Sequence, residues 1–152
     1  MHSMSARSAR PELRAAGARS LARRFAMQAL YRLEVNPGPW QDAHAELLAD
    51  DDMRKTDRDY FESLLRGVAE TRDALDARLA PLLDRKPAEL DPIEHAVLLV
   101  GMHELCMQPD VPFRVVINEA VGLARRYGAT DGHKFVNAVL DRAARELRPL
   151  EH

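Results

Sequence analysis

The sequence predicts an all-α fold, a compact helical bundle of about seven helices, and three observations carry that expectation. Apolar residues recur at helical spacing, as in Val136, Val139, Leu140, Ala143 and Leu147. Helix starts and stops punctuate the chain, with Asp91-Pro92-Ile93-Glu94 opening one helix and Asn36-Pro37-Gly38-Pro39 closing another. No strand-like alternation, internal repeat or low-complexity tract interrupts the pattern.

Residues 1–17, rich in Arg, Ser and Ala, read as a flexible basic arm ahead of a single all-helical domain over 18–150. A first helix is expected over 18–34, and a short one over 40–50. Lys55-Thr56-Asp57 supplies a cap for a longer helix with Tyr60, Phe61, Leu64, Leu65 and Val68 on its apolar face. Another segment repeats Leu75, Leu79 and Leu82, with Pro81 closing its end. The helix from Asp91 to about Met107 is apolar nearly all round and should be the central, most buried element. Asp110-Val111-Pro112 opens the next helix. Gly128 is expected to end it as a left-handed cap, and Thr130 to cap the last helix.

The chain has 152 residues, 46% of them hydrophobic and 30% charged, which suits one soluble domain or two small helical halves sharing a core. No apolar run approaches the roughly 20 residues a membrane span needs, and no signal peptide is visible. The single cysteine, Cys106, forms no intramolecular disulfide, and a cytoplasmic location is the natural expectation. Net charge is −2, but it is unevenly spread. Residues 1–34 hold seven arginines against Glu12 and Glu34, whereas 41–62 hold eight acids against Arg54, Lys55 and Arg58. Such asymmetry fits a basic face for one partner and an acidic face for another.

Two aromatic residues stand off the apolar stripes. On a wheel at about 100° per residue, Ala22, Phe25, Ala26, Ala29 and Leu33 form the inward side of the first helix. Ser20, Arg23, Arg24, Met27 and Tyr31 lie opposite. Phe135 likewise precedes the stripe that starts at Val136, beside Lys134 and near Asp131. Aromatic rings among bases are what stacking of unpaired nucleobases requires. The alternative is that Tyr31 lies under another helix and the arginines are solvated. Arg114, Asn118 and Arg125 share one side of the helix over 113–127, where Asn118 either reads a base or binds neighbouring backbone.

Chemistry-bearing patterns are sparse. His95 and His103 stand eight residues apart on one helix, off the three- or four-residue spacing that sets two ligands on one metal. No phosphate-cradling glycine loop, nucleophile elbow or Cys–His metal spacing is present. A non-enzymatic protein without metal or cofactor is the expectation.

Five segments in order resemble the NusB family of bacterial transcription antitermination factors. They are Ala22 to Tyr31, Tyr60 to Val68, Ile93 to Leu105, Val116 to Val121 and Lys134 to Asp141, together spanning about 18–148. The resemblance implies two small helical subdomains without catalytic activity. It implies binding of single-stranded boxA RNA of ribosomal-operon transcripts, together with the small-subunit ribosomal protein NusE. The assembly would load onto elongating RNA polymerase with NusA and NusG and suppress termination. Carried over residue by residue, the RNA would meet Arg19, Arg23, Arg24, Tyr31, Arg114, Tyr127, Asp131, Lys134 and Phe135, and NusE would meet Glu94. This chain departs from the family in a thinner basic run, interrupted by Ser20 and Leu21, and in Ala138 after Asn137. The rival reading is a helical protein-binding scaffold without specific RNA recognition.

Overall fold

The computed structural model describes residues 11–151, and within them six α-helices and four short 3-10 turns account for the regular structure. The helices are α1 (Pro11–Val35), α2 (Trp40–Leu48), α3 (Arg58–Leu79), α4 (Pro92–Met107), α5 (Phe113–Tyr127) and α6 (Gly132–Leu147). Among the described residues there is no strand. The expected basic arm falls mostly on residues 1–10, outside the described part. The chain is helical at Pro11, at least seven residues before the expected boundary.

Side-chain capping explains two of the helix starts. The Asp57 side chain accepts from the Tyr60 amide at 3.0 Å, and Asp91 accepts from the amides of Ile93 and Glu94. The two helices expected between 58 and 83 are one helix kinked at Thr71, whose φ of −125° departs from helical values. Thr71 Oγ1 donates to the Gly67 carbonyl at 2.7 Å, a local bond of the kind that bends helices. Two capping expectations fail at the other end. Gly128 is extended rather than left-handed, and Asp131, not Thr130, stands at the N-cap of α6 with φ 65° and no side-chain capping bond. The sharp reversal therefore occurs three residues later than the glycine suggested, and Asp tolerates that conformation better than most residues.

One contiguous core joins both helical halves. Phe25, Leu30, Phe61, Leu64, Leu65, Leu98, Leu99 and Leu140 are all fully buried, and α4 packs against α1, α3, α5 and α6. Its apolar circumference is the reason it can serve as the axis. Arg148 closes its C-terminal end from below, donating to the carbonyls of Glu104, Leu105, Gln108 and Val111. The Leu105 carbonyl is one of those a helix end leaves without an intrahelical partner, and Gln108 and Val111 belong to the turn that follows the helix. No helix among the described residues is long and apolar enough to cross a membrane.

Candidate nucleic-acid interface

Helix α1 is covered on more than one side, so its polar residues divide by depth. Arg23 is 3% exposed and carries the innermost charge. Its Nε donates to Glu104 Oε1 at 2.9 Å and its Nη2 to Glu104 Oε2 at 2.9 Å, a bidentate pair. Glu119 lies 3.3 Å from Nη1 and accepts from Ser20, and the Tyr60 hydroxyl donates to Glu104. Burial alone would lower the Arg23 pKa, but the hydrogen bond and charge of Glu104, with Tyr60 and Glu119, hold it above its ordinary value. Burial, then the Glu104 charge, pushes the Tyr60 phenol up, so it stays protonated as donor. The expectation that Arg23 faces RNA therefore gives way to a core role. Met27, also assigned outward, is fully buried, because α1 presents that side to the protein rather than to solvent.

A second buried cluster replaces the weak histidine metal pattern. His95 Nε2 lies 2.7 Å from Asp76 and Nδ1 3.2 Å from Glu34, which Arg72 also contacts at 3.5 Å. Burial opposes protonation of His95, but the two carboxylates outweigh it and raise its pKa. His103 is instead wedged against Gly67, where any side chain would strike its ring. Its Nδ1 has no hydrogen-bond partner, and burial lowers its pKa. No three-residue metal grouping occurs among the described residues.

The outer residues form a track. Arg24 reaches Asp52 at 3.0 Å and, with Arg126 and Tyr127, lines a groove between α1 and α5. Tyr127, with the Arg126 guanidinium 5.4 Å from its ring centroid, also borders the next cleft, which Tyr31 lines as well. Tyr31 is 38% exposed, so it does not lie under another helix. Ile93 lines that cleft too, and the adjacent Glu94 packs against Gly132 in the first turn of α6. There follow Asp131 and Lys134, ion-paired at 3.3 Å, and Phe135, half-buried with Arg85 5.3 Å above its ring.

Two assigned residues stand apart from this track, and a third is mostly covered. Arg114 lines a separate cleft with Asn118, Asn137 and Asp141. Arg19 sits over the Tyr60 ring at 4.2 Å, with Asp57 and Asp110 each 3.9 Å away. Glu94, expected to face a protein partner, is 8% exposed, with its carboxylate turned to the α6 N-terminus, where the helix dipole favours a negative charge. Arg126, which lines the arginine groove, Arg85, which lies over Phe135, and Gln28, which lines the Tyr31 cleft, were not assigned to this surface from the sequence. For Gln28 the signal was available, since Arg24, Gln28 and Tyr31 follow the i, i+4, i+7 line of one helix face.

Comparison with known proteins agrees with this architecture. Residues 20–145 match the profile of the NusB family. The transcription antitermination protein NusB of Thiobacillus denitrificans is 46% identical over 136 residues, covering 90% of this chain and 94% of that protein. Its counterpart in Teredinibacter turnerae is 50% identical over 137 residues, covering 90% and 93%. Among solved structures, Thermotoga maritima NusB superposes with a TM-score of 0.74 at 28% identity, covering 84% of this chain and 90% of that one. A chain from a complex of NusB and NusE with double-stranded RNA also reaches 0.74, at 21% identity and covering 84% and 96%, a likeness of fold. The chain belongs to the NusB family of transcription antitermination proteins.

Proposed function

With membership of this family as the premise, we propose that the chain binds single-stranded boxA RNA of ribosomal-operon transcripts together with NusE. It thereby helps elongating RNA polymerase, with NusA and NusG, to resist termination in the cytoplasm. The observation that carries the RNA-binding part is the unbroken succession of Arg24, Arg126, Tyr127 and Tyr31 along adjoining grooves. Arginines hold the backbone and the two tyrosines stack bases, each stacked base contributing ~1–3 kcal/mol. The track continues through Asp131, Lys134 and Phe135, where Arg85 is close enough to share a stacked base. Arg114 and Arg19 supply outlying phosphate contacts. Arg23 acts from inside, holding α1 against α4 so that Arg24 and Tyr31 stay in line. For NusE, the surface is the exposed rim around the start of α4, and Glu94 orders the α6 turn behind it.

The test is a fluorescence-anisotropy titration of a boxA RNA and a scrambled control at two salt concentrations, with and without NusE. The expected result is preferential binding that tightens with NusE and weakens with salt. Equal weak binding to both strands, indifferent to NusE, would overturn the proposal and favour the scaffold reading.

A further inference from the structure

The cleft between the two tyrosines measures about 430 Å³ and is lined by Met27, Gln28, Tyr31, Asp50, Ile93 and Tyr127, among others. We propose that it takes a single unpaired base carrying an exocyclic amino group, adenine or cytosine, and that Gln28 reads the edge of that base. The inference rests on the RNA-binding reading above and assigns within it the residue that determines base preference.

The lining suits a base and disfavours a phosphate. Tyr31 and Tyr127 supply aromatic surface to the lining, and Met27 and Ile93 apolar surface. The only cation there, Arg32, is engaged by Glu46 at 2.8 Å, and Asp50 adds a negative charge that repels phosphate. The adjoining groove is the opposite case. It holds Arg24 and the exposed Arg126, and Tyr127 borders both spaces. A strand laid across them would leave its backbone in the arginine groove and turn one base into the tyrosine cleft.

Gln28 is half-buried, yet its amide has no hydrogen-bond partner among the described residues. A side chain held in that position and left unpaired is poised to pair with something that enters. Its carbonyl accepts from an exocyclic amino group while its NH2 donates to the adjacent ring nitrogen, the bidentate match that glutamine makes with adenine. Asp50 selects in the same direction. One of its oxygens accepts from the Asp52 amide at 2.9 Å, leaving the other to accept the second amino hydrogen. Uracil offers a carbonyl where adenine and cytosine offer the amino group, and a carboxylate cannot donate to it.

The experiment measures anisotropy of short labelled RNAs with the full chain. The strands are an all-uridine strand and versions with one central adenosine, cytidine or purine riboside, which lacks the amino group. Wild-type protein should bind the adenosine and cytidine strands about tenfold more tightly than the uridine and purine-riboside strands. Gln28→Ala should cut that ratio severalfold, to what Asp50 alone supplies, while leaving affinity for the all-uridine strand within about twofold. Gln28→Met, close in volume but without an amide to accept or donate, should do the same and covers the case in which the alanine variant does not fold. An unchanged ratio in either variant, an equal loss on every strand, or no ratio in the wild type would overturn the inference while RNA binding stands. A wild-type chain that binds none of the strands overturns the RNA-binding reading as well.

Discussion

Arg23 and Arg24 are neighbours on one helix, yet they belong to different regions of the molecule. Arg23 is sealed in a bidentate pair with Glu104 beneath Tyr60, where neither water nor a ligand reaches. Arg24 lines an open groove and shares its charge with the half-exposed Asp52. The difference is about 100° of helix rotation. It teaches that the chemistry of a charged side chain is set by what covers it. The inner network serves specificity of packing, fixing α1 against α4 and α5, and the outer track serves recognition.

The largest effect should come from breaking the inner region. Arg23→Ala leaves Glu104 buried and uncompensated and should cost about 3–5 kcal/mol in urea unfolding. Replacing the whole network with apolar residues (Arg23→Met, Glu104→Leu and Tyr60→Phe together) should recover most of that loss. If the single variant unfolds at the wild-type urea midpoint, the buried pair is not what holds α1. Next comes the outer region. Tyr31→Ala should weaken RNA binding by about 1–3 kcal/mol and change stability by less than about 0.5 kcal/mol, because the ring is partly exposed. A loss of stability matching the loss of affinity would erase the distinction between the two regions.

Smaller effects sharpen it. Arg126→Ala should weaken binding to all strands alike and reduce the salt-dependence slope by about 0.7, the value for one phosphate contact on a single strand. Arg125→Ala, on the same exposed turn but away from the groove lining, serves as the control. Finally, His95 joins α1, α3 and α4 through Glu34 and Asp76, and its pKa is raised. Its contribution to stability is therefore fully present below the ordinary histidine value of about 6.5 and is lost as pH rises through the elevated folded value. His95→Gln should flatten that decline in a series of unfolding curves across neutral pH, with RNA affinity unchanged.

Much of this architecture was legible beforehand. The Asp57 and Asp91 caps, the Asn36 to Pro39 stop and an α4 that is apolar nearly all round are local signals, and each appears where the spacing placed it. The kink at Thr71 was read as a break because a helix that loses its apolar register looks interrupted, while Thr71 only bends the backbone through Gly67. Tyr31 could be identified as an aromatic off the main stripe, and Gln28 could have been added from the same helix line.

By itself, the sequence determined the helices, their order, the central place of α4, and the family to which the chain belongs. The helices, their order and the place of α4 follow from propensity, capping and periodicity, which act over a few residues, whereas the family follows from the resemblance of five segments in order. Only the tertiary structure decided which charged residues are inside. A helical wheel assumes one covered face, but α1 is packed by α2, α3, α4 and α5, so Arg23 and Met27 are covered from a second direction. Likewise the burial of Glu94 against Gly132 and the cleft that Tyr31 and Tyr127 both line depend on residues far apart in the chain. Their depth and proximity are settled by how whole helices pack, a property that no local window of sequence contains.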